Sequence, residues 1–444
     1  MNKIITLFEH QTCNYSDLDI NTYRPLIQGI EQLNQESGIE YIRLGYKTFK
    51  ATQYVGVIRV GDITLQILPK IDCDPIGDFD ACIESEAARL AIQSATRNLL
   101  YMLAYAQNLK IHDQEVASLS TQSSDWFELL IRLLAVDLHN LMQRGLVHQY
   151  VIQEDSLPVM RGRWRIEHQL TRNPQVKPRF DVIYDEFSPD NLINQIFRYV
   201  VKALLIQTRD STSKALLLDL NDWLRSVRSL SNVSQNHLDR IVFTRLNDRY
   251  HPAFNLARMF IEHTTMQFLS GAQQTFVFVF DMNGLFEMFV AKFLERHRYQ
   301  ILPESLSKSR IRIQSEGRPA HLASRIPGGN PVFRLRPDIL VDKPGGSTQL
   351  ILDTKYKELN SEQRKVGVSE GDFYQMLAYR TRFDCPQGLL LYPQSSGTPP
   401  LRARFDFQGN SGHVIAATIN LHTSLENPKA LIQEMRGIFD RFST

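Results

Sequence analysis

Two apolar runs around a Pro-Gly-Gly turn constrain this chain most: Arg334-Leu335-Arg336-Pro337-Asp338-Ile339-Leu340-Val341, a turn over Lys343 to Ser347, and Leu350-Ile351-Leu352-Asp353-Thr354-Lys355-Tyr356-Lys357. Each run reads as a strand, and the turn makes them an antiparallel pair. With Asp342 opposite Gln349, Asp338 falls opposite Asp353, and the two-residue period puts Lys355 on the face of Asp353. Two facing carboxylates destabilise a sheet unless a cation lies between them, so the arrangement asks for a metal.

Cleavage of a phosphodiester by water at neutral pH uses a divalent ion to polarise the phosphate and acidify its water, and hard ions such as Mg²⁺ take carboxylate oxygens. Asp338 and Asp353 are the expected ligands, with Lys355 orienting or deprotonating the water and stabilising charge on phosphorus. A solvated hairpin with acids on its polar face would explain the triplet equally well. The apolar run before Asp353 and Lys355 argues against it, because a central strand buries its charges at a cost.

Glu287 sits at the edge of the apolar face of a helix read over Asp281 to Arg298, a position from which it can add a third metal ligand. Gln375 and Tyr379, four residues apart on a helix over Asp372 to Phe383, share one face and can hold a phosphate or the lysine. Taken singly, each has an ordinary reading as a rim or core residue. For DNA contact, Lys308, Arg310 and Arg312 alternate on one strand face, Arg334 and Arg336 share parity with Asp338, and Lys357 follows the lysine. Alternating cations also guard edge strands against aggregation.

The 444 residues suffice for two or three domains. The net charge of +2 neither supports nor excludes a nucleic acid, so that argument rests on local charge. Cys13, Cys73, Cys82 and Cys385 have the spacing of neither a zinc ribbon nor a disulfide framework. No charge-poor stretch is long enough to span a bilayer, and the first ten residues lack a secretory pattern, so a cytoplasmic protein without membrane contact is expected.

Three consecutive segments are predicted. Residues 1–80 form a β-rich domain containing a hairpin from Tyr54 to Ile71 that turns at Gly61-Asp62. Residues 81–270 are helical, interrupted over 149–191 by a projecting two-stranded arm that carries Arg161-Gly162-Arg163. Residues 271–444 alternate strands and helices, with the boundary near 270. The class is α/β, α+β overall, with a mixed central sheet flanked by helices in the last segment.

Taken in order, Glu287 on a helix, Pro337-Asp338, Asp353-Thr354-Lys355 and Gln375-x-x-x-Tyr379 on a helix resemble the PD-(D/E)XK nuclease superfamily, particularly members with the Gln-Tyr helix of RecB-like nucleases. More narrowly, the chain resembles the McrC family, the nuclease subunit of McrBC-type restriction systems. That closer resemblance rests on Gly56-Val57-Ile58, Ile67-Leu68-Pro69-Lys70-Ile71, Leu99 to Ala106, Arg161-Gly162-Arg163, Tyr184-Asp185-Glu186-Phe187, Leu285-Phe286-Glu287, Arg336-Pro337-Asp338, Asp353 to Lys357 and Tyr374 to Tyr379. The connections at Asp72 to Asn98 and Leu306 to Pro331 are longer than the family pattern.

The resemblance implies a restriction-endonuclease-like last domain that cuts double-stranded DNA with Mg²⁺, for which Mn²⁺ can substitute. It also implies a separate McrB-like AAA+ GTPase ring, engaged and stimulated by the N-terminal part. Methylcytosine dependence is a family expectation. The chain has no G-x-x-x-x-G-K-[ST] loop, so GTP enters only through the partner. The Tyr150 to Glu186 arm and the Val55 to Ile71 hairpin are the two candidates for engaging it. Alternative functions are a non-catalytic adaptor that activates an NTPase and a stand-alone structure-specific nuclease.

Overall fold

The computed structural model describes residues 3–70, 86–109, 125–172, 179–268, 274–314, 320–360, 362–395, 397–408, 412–421 and 428–442. Cys73, Cys82, most of the Asp72 to Glu86 run and most of the Ser270 to Gln274 boundary stretch lie outside them. The chain is a mixture of helices and mixed sheets, as expected from the sequence. Among the described residues no helix is long and apolar enough to cross a membrane.

The chain divides into two compact units, residues 1–122 with 263–444, and residues 123–262. These differ from the consecutive segments 1–80, 81–270 and 271–444. The reason lies in one sheet, whose strand order is Lys3–Phe8, Ile63–Leu68, Tyr54–Val60, Gln274–Asp281, Thr264–Phe268. Tyr54–Val60 pairs antiparallel with Gln274–Asp281 along its whole length, so early residues and residues beyond 270 share one set of ladder hydrogen bonds.

The predicted hairpin is present, with Val60 opposite Ile63 and Gly61 at φ +56 in the turn. Both of its strands are buried on both faces, polar Thr64 and Gln66 included. The first segment also holds a helix, Ile20–Ser37, that the alternation obscured. Its ends carry ordinary signals: Asp19 accepts from Thr22 N, and Gly38 takes the left-handed C-terminal position at φ +67.

In the same unit, a second sheet has the order Arg310–Ile313, Ile339–Asp342, Thr348–Thr354, Gln387–Pro393, His413–Ile419, Arg402–Asp406. Its middle strands are apolar and almost wholly buried, since Thr348–Thr354 pairs parallel with Gln387–Pro393 on one side and antiparallel with Ile339–Asp342 on the other. Helix Met282–Ile301 buries Leu285, Phe286, Phe289, Val290, Phe293 and Leu294. Tyr105 of helix Glu86–Ala106 meets it edge-on at Phe289, with ring centroids 5.7 Å apart. Helix Glu370–Phe383 starts at Ser369, whose side chain accepts from Asp372 N.

Residues 123–262 form their own core, in which Phe127 packs on Phe260 and Phe197 on Phe254. The buried Glu128 joins this core by accepting from the Thr208 hydroxyl (2.8 Å) and Arg209 N (2.9 Å). The arm expected from this region is Gln149–Leu157 paired antiparallel with Phe180–Ser188, to which the short strand Arg163–Trp164 adds a third.

Candidate active site

The pairing Ile339 to Leu352, Leu340 to Ile351 and Val341 to Leu350 is the register read from the sequence. It slips at the turn, where a bulge sets Asp342 against Thr348 instead of Gln349. Gly345 and Gly346, at φ +115 and +93, close this turn in backbone conformations that only glycine adopts readily. Continued one step past Ile339 and Leu352, the register sets Asp338 opposite Asp353. There the ladder ends, and Asp338 lies in a bend before its strand.

Asp338 Oδ2 instead accepts from Thr354 N at 2.6 Å and from the Thr354 hydroxyl at 2.7 Å. Asp353 is 1% exposed on a central strand, and its Oδ1 accepts no hydrogen bond. The Lys355 ammonium forms an ion pair with Asp353 Oδ2, and the backbone N–H of Lys355 donates to Leu391 O at 2.9 Å.

The carboxylates press on one another. Burial raises Asp353 to about 7, and the nearby charge of Asp338 adds to the shift. Burial also raises Glu287 to about 7, followed by the charge of Asp338, while a hydrogen bond with Gln314 and the charge of Lys355 oppose the rise. Asp338 is raised by burial against the two Thr354 hydrogen bonds. Burial works against the charged form of Lys355, yet Asp353, Asp338 and Asp372 together hold its pKa above the ordinary lysine value. Glu287, Asp338, Asp353 and Lys355 thus share one electrostatic site.

Tyr379 is buried and donates to Arg336 O at 2.9 Å, while the exposed Gln375 donates through Nε2 to the Tyr379 hydroxyl at 2.7 Å. This pair fixes the Arg336-Pro337-Asp338 segment. Burial raises the Tyr379 pKa, and the charges of Asp353 and Asp338 push it further.

Three participants escaped the sequence reading. Gln314, at φ +47, donates its backbone N–H to Asp338 O at 2.7 Å, and its side chain opposes the rise in the Glu287 pKa. Thr354 alternates with Asp353 and Lys355 along its strand, yet its N–H and hydroxyl both reach Asp338. Asp372 contributes charge at Asp353 and Lys355, and its Oδ2 accepts from Tyr392 OH at 3.3 Å. A carboxylate in the first turn of a helix reads in sequence only as favourable to the helix dipole.

The predicted cations separate. Lys308 is exposed at the end of the short helix Glu304–Ser307, so it does not share a strand face with Arg310 and Arg312. Arg310 is exposed, Arg312 pairs with Asp342, and Lys357 pairs with Asp372 and donates to the Ser369 hydroxyl at 3.3 Å. Arg334 and Arg336 are exposed and have no carboxylate partner among the described residues.

The donor set suits a hard divalent cation: three carboxylates with raised pKa values around a buried oxygen that accepts no hydrogen bond. Among the described residues no three acidic, histidine or cysteine side chains already stand as a metal cage. The Lys355 ammonium occupies one side of Asp353.

The chain is thus a mixed α/β protein in which Lys355 and the carboxylates of Glu287, Asp338 and Asp353 act on one another's charge. Residues 49–393 match the family model described as McrBC 5-methylcytosine restriction system component, and the chain belongs to that family. It is similar in fold to a chain of the refined half-complex from the tetradecameric assembly of Thermococcus gammatolerans McrB AAA+ hexamers with bound McrC. That likeness has a TM-score of 0.65 and 24% identity over 99% of this chain and 100% of the other. A chain of the cryo-EM structure of the Thermococcus gammatolerans McrBC complex is 26% identical over 67% of this chain and 88% of its own, with a TM-score of 0.48. No curated protein matches the chain.

Proposed function

We propose that this chain is the DNA endonuclease subunit of a McrBC-type restriction system, of the PD-(D/E)XK class. It would cut phosphodiester bonds with Mg²⁺ when engaged with a GTP-hydrolysing AAA+ partner, which it stimulates. The observation that carries the reading is the buried, unbonded Asp353 Oδ1 facing a site shared with Asp338, Glu287 and Lys355. Asp338 and Asp353, with Glu287, would hold the ion, which supplies polarisation of the phosphate and acidification of water.

The side chains have separable tasks. Thr354 holds one oxygen of Asp338 and leaves the other for binding. Lys355 stays protonated near neutral pH, which supports orientation of water and stabilisation of negative charge on phosphorus over a role as general base. Gln375 and Tyr379 hold the segment that delivers Asp338.

Family membership and the McrB hexamers of the similar assembly support an AAA+ partner. Of the two docking candidates, the Val55 to Ile71 hairpin has its strands enclosed in a sheet. The arm exposes Tyr150 (75%), Ile152 (67%) and Phe187 (60%), an apolar surface fit for a protein partner. The arm is therefore assigned the docking role.

The test is plasmid cleavage by purified chain with Mg²⁺, with and without the partner and GTP, alongside Asp353→Asn and Lys355→Met. Cutting only with partner and GTP, lost in both variants, is expected. Stimulation of the partner without cutting would favour an adaptor, and cutting by the chain alone a stand-alone nuclease.

A further inference from the structure

Just before Asp338, the strands Ala320–Arg325 and Asn330–Leu335 pair antiparallel into a two-stranded sheet that joins no other strand among the described residues. Its base is fixed: Ala320 and Leu335 are buried in a cluster with Met376 and Tyr379, and Arg382 Nε donates to His321 O at 2.9 Å. Beyond the base, residues 322–331 are exposed on both faces. Six-residue strands carry such a ribbon ~20 Å outward.

Its chemistry is one-sided. From Ala320 to Pro337 there is no acidic residue, whereas Arg325, Arg334 and Arg336 are exposed without carboxylate partners among the described residues. Cations on an edge guard against aggregation, but exposed apolar side chains work the other way, and this ribbon has three: Leu322 (46% exposed), Ile326 at its tip (89%) and Phe333 (72%). Phe333 stands at φ +57, a conformation rare for a bulky residue, and its cross-strand pair with Leu322 is missing from an otherwise continuous register. Backbone strain that displays an aromatic ring to solvent is characteristic of a contact surface.

We propose that this ribbon enters a groove of double-stranded DNA, with Ile326 and Phe333 against base edges or between base steps and Arg325, Arg334 and Arg336 on phosphates. The major groove admits a two-stranded ribbon, and apolar wedges flanked by arginine are a known means of gripping and bending duplex. The covalent run from Leu335 through Arg336 and Pro337 to Asp338 makes the ribbon continuous with the acidic site. A gripped duplex would thereby be led to the carboxylates. The inference rests on the nuclease reading for its choice of ligand.

The experiment measures binding of the full-length chain to a short labelled duplex by fluorescence anisotropy in EDTA, so that cleavage plays no part. Arg325→Gln with Arg334→Gln should lower the slope of log K against log salt by about 2, since each phosphate contact contributes roughly 0.9. Ile326→Ser with Phe333→Asn, asparagine being tolerant of left-handed backbone, should weaken binding about tenfold with the slope unchanged. If that double variant fails to fold, Ile326→Ser alone carries the same test at the exposed tip. A failed active-site assignment appears in the cleavage assay as absent cutting and leaves the anisotropy of the unaltered chain intact. Absent duplex binding by the unaltered chain, equal binding by the folded ribbon variants, or a loss confined to binding of the AAA+ partner would overturn the proposal.

Discussion

Asp338 is held by the residue that follows Asp353: its Oδ2 accepts from both the backbone N–H and the hydroxyl of Thr354, at 2.6 and 2.7 Å. The two donors fix one carboxylate across from the other without using the sheet ladder, which has already ended. Thr354→Val keeps the N–H and removes the hydroxyl. It should cost ~1.5–3 kcal/mol, because the acceptor is a carboxylate, and should reduce cleavage roughly 10–100-fold through misplacement of Asp338. Thr354→Ser should restore both. Denaturant melts and cleavage across a Mg²⁺ series measure the two effects, and unchanged cleavage in the valine variant would remove Thr354 from the site.

Mutual repulsion among Glu287, Asp338 and Asp353 predicts a thermal response to metal. Saturating Mg²⁺ at about 100 times its Kd stabilises a one-site protein by ~2.7 kcal/mol. The melting temperature of the unaltered chain should therefore rise, and that of Asp338→Asn with Asp353→Asn should not. Equal rises would place the ion elsewhere.

A pH effect is expected at Glu9. It is 2% exposed, and burial raises it from 4.5 to about 8 against the Lys70 backbone N–H, the Tyr356 hydroxyl and the Lys70 charge, with Asp281 adding to the rise and His10 Nε2 3.9 Å away. A folded-state pKa above the unfolded one means that the folded chain keeps a proton the unfolded chain has lost. Stability is then fully present below about 4.5 and falls, by about 1.4 kcal/mol per pH unit, until about 8. Glu9→Gln lacks this loss, so its melting temperature should gain on that of the unaltered chain across the interval. A constant difference from pH 4 to 9 would contradict the assignment.

Expressed alone, residues 123–262 should melt cooperatively, because their helices bury their own core around Phe127, Phe197, Phe254 and Phe260. Given the proposed docking role of the arm, this fragment should also bind the AAA+ partner. A fragment of residues 1–275 should fare worse than the chain, since the cut removes nearly all of Gln274–Asp281 and leaves Tyr54–Val60 an open edge. Circular dichroism melts of both fragments and of the full chain check the comparison, and a 1–275 fragment that melts as high as the chain would contradict it.

What the sequence determined by itself was local. The apolar runs around Pro344-Gly345-Gly346 defined two strands and, within one residue at the turn, their register. The 3.6-residue spacing around Leu285 to Leu294 defined a helix and set Glu287 at its edge, and the i, i+4 spacing of Gln375 and Tyr379 became a hydrogen bond. Each depends on periodicity or turn chemistry within a few residues. Tertiary structure decided everything that needs two distant segments to meet. The pairing of Tyr54–Val60 with Gln274–Asp281 made one unit from both ends of the chain. Gln314 and Asp372 joined the acidic site from elements with no telling pattern, and Asp342 and Asp372 drew Arg312 and Lys357 into ion pairs. Periodicity shows which face of an element is buried, but which partner covers that face depends on packing summed over the whole chain.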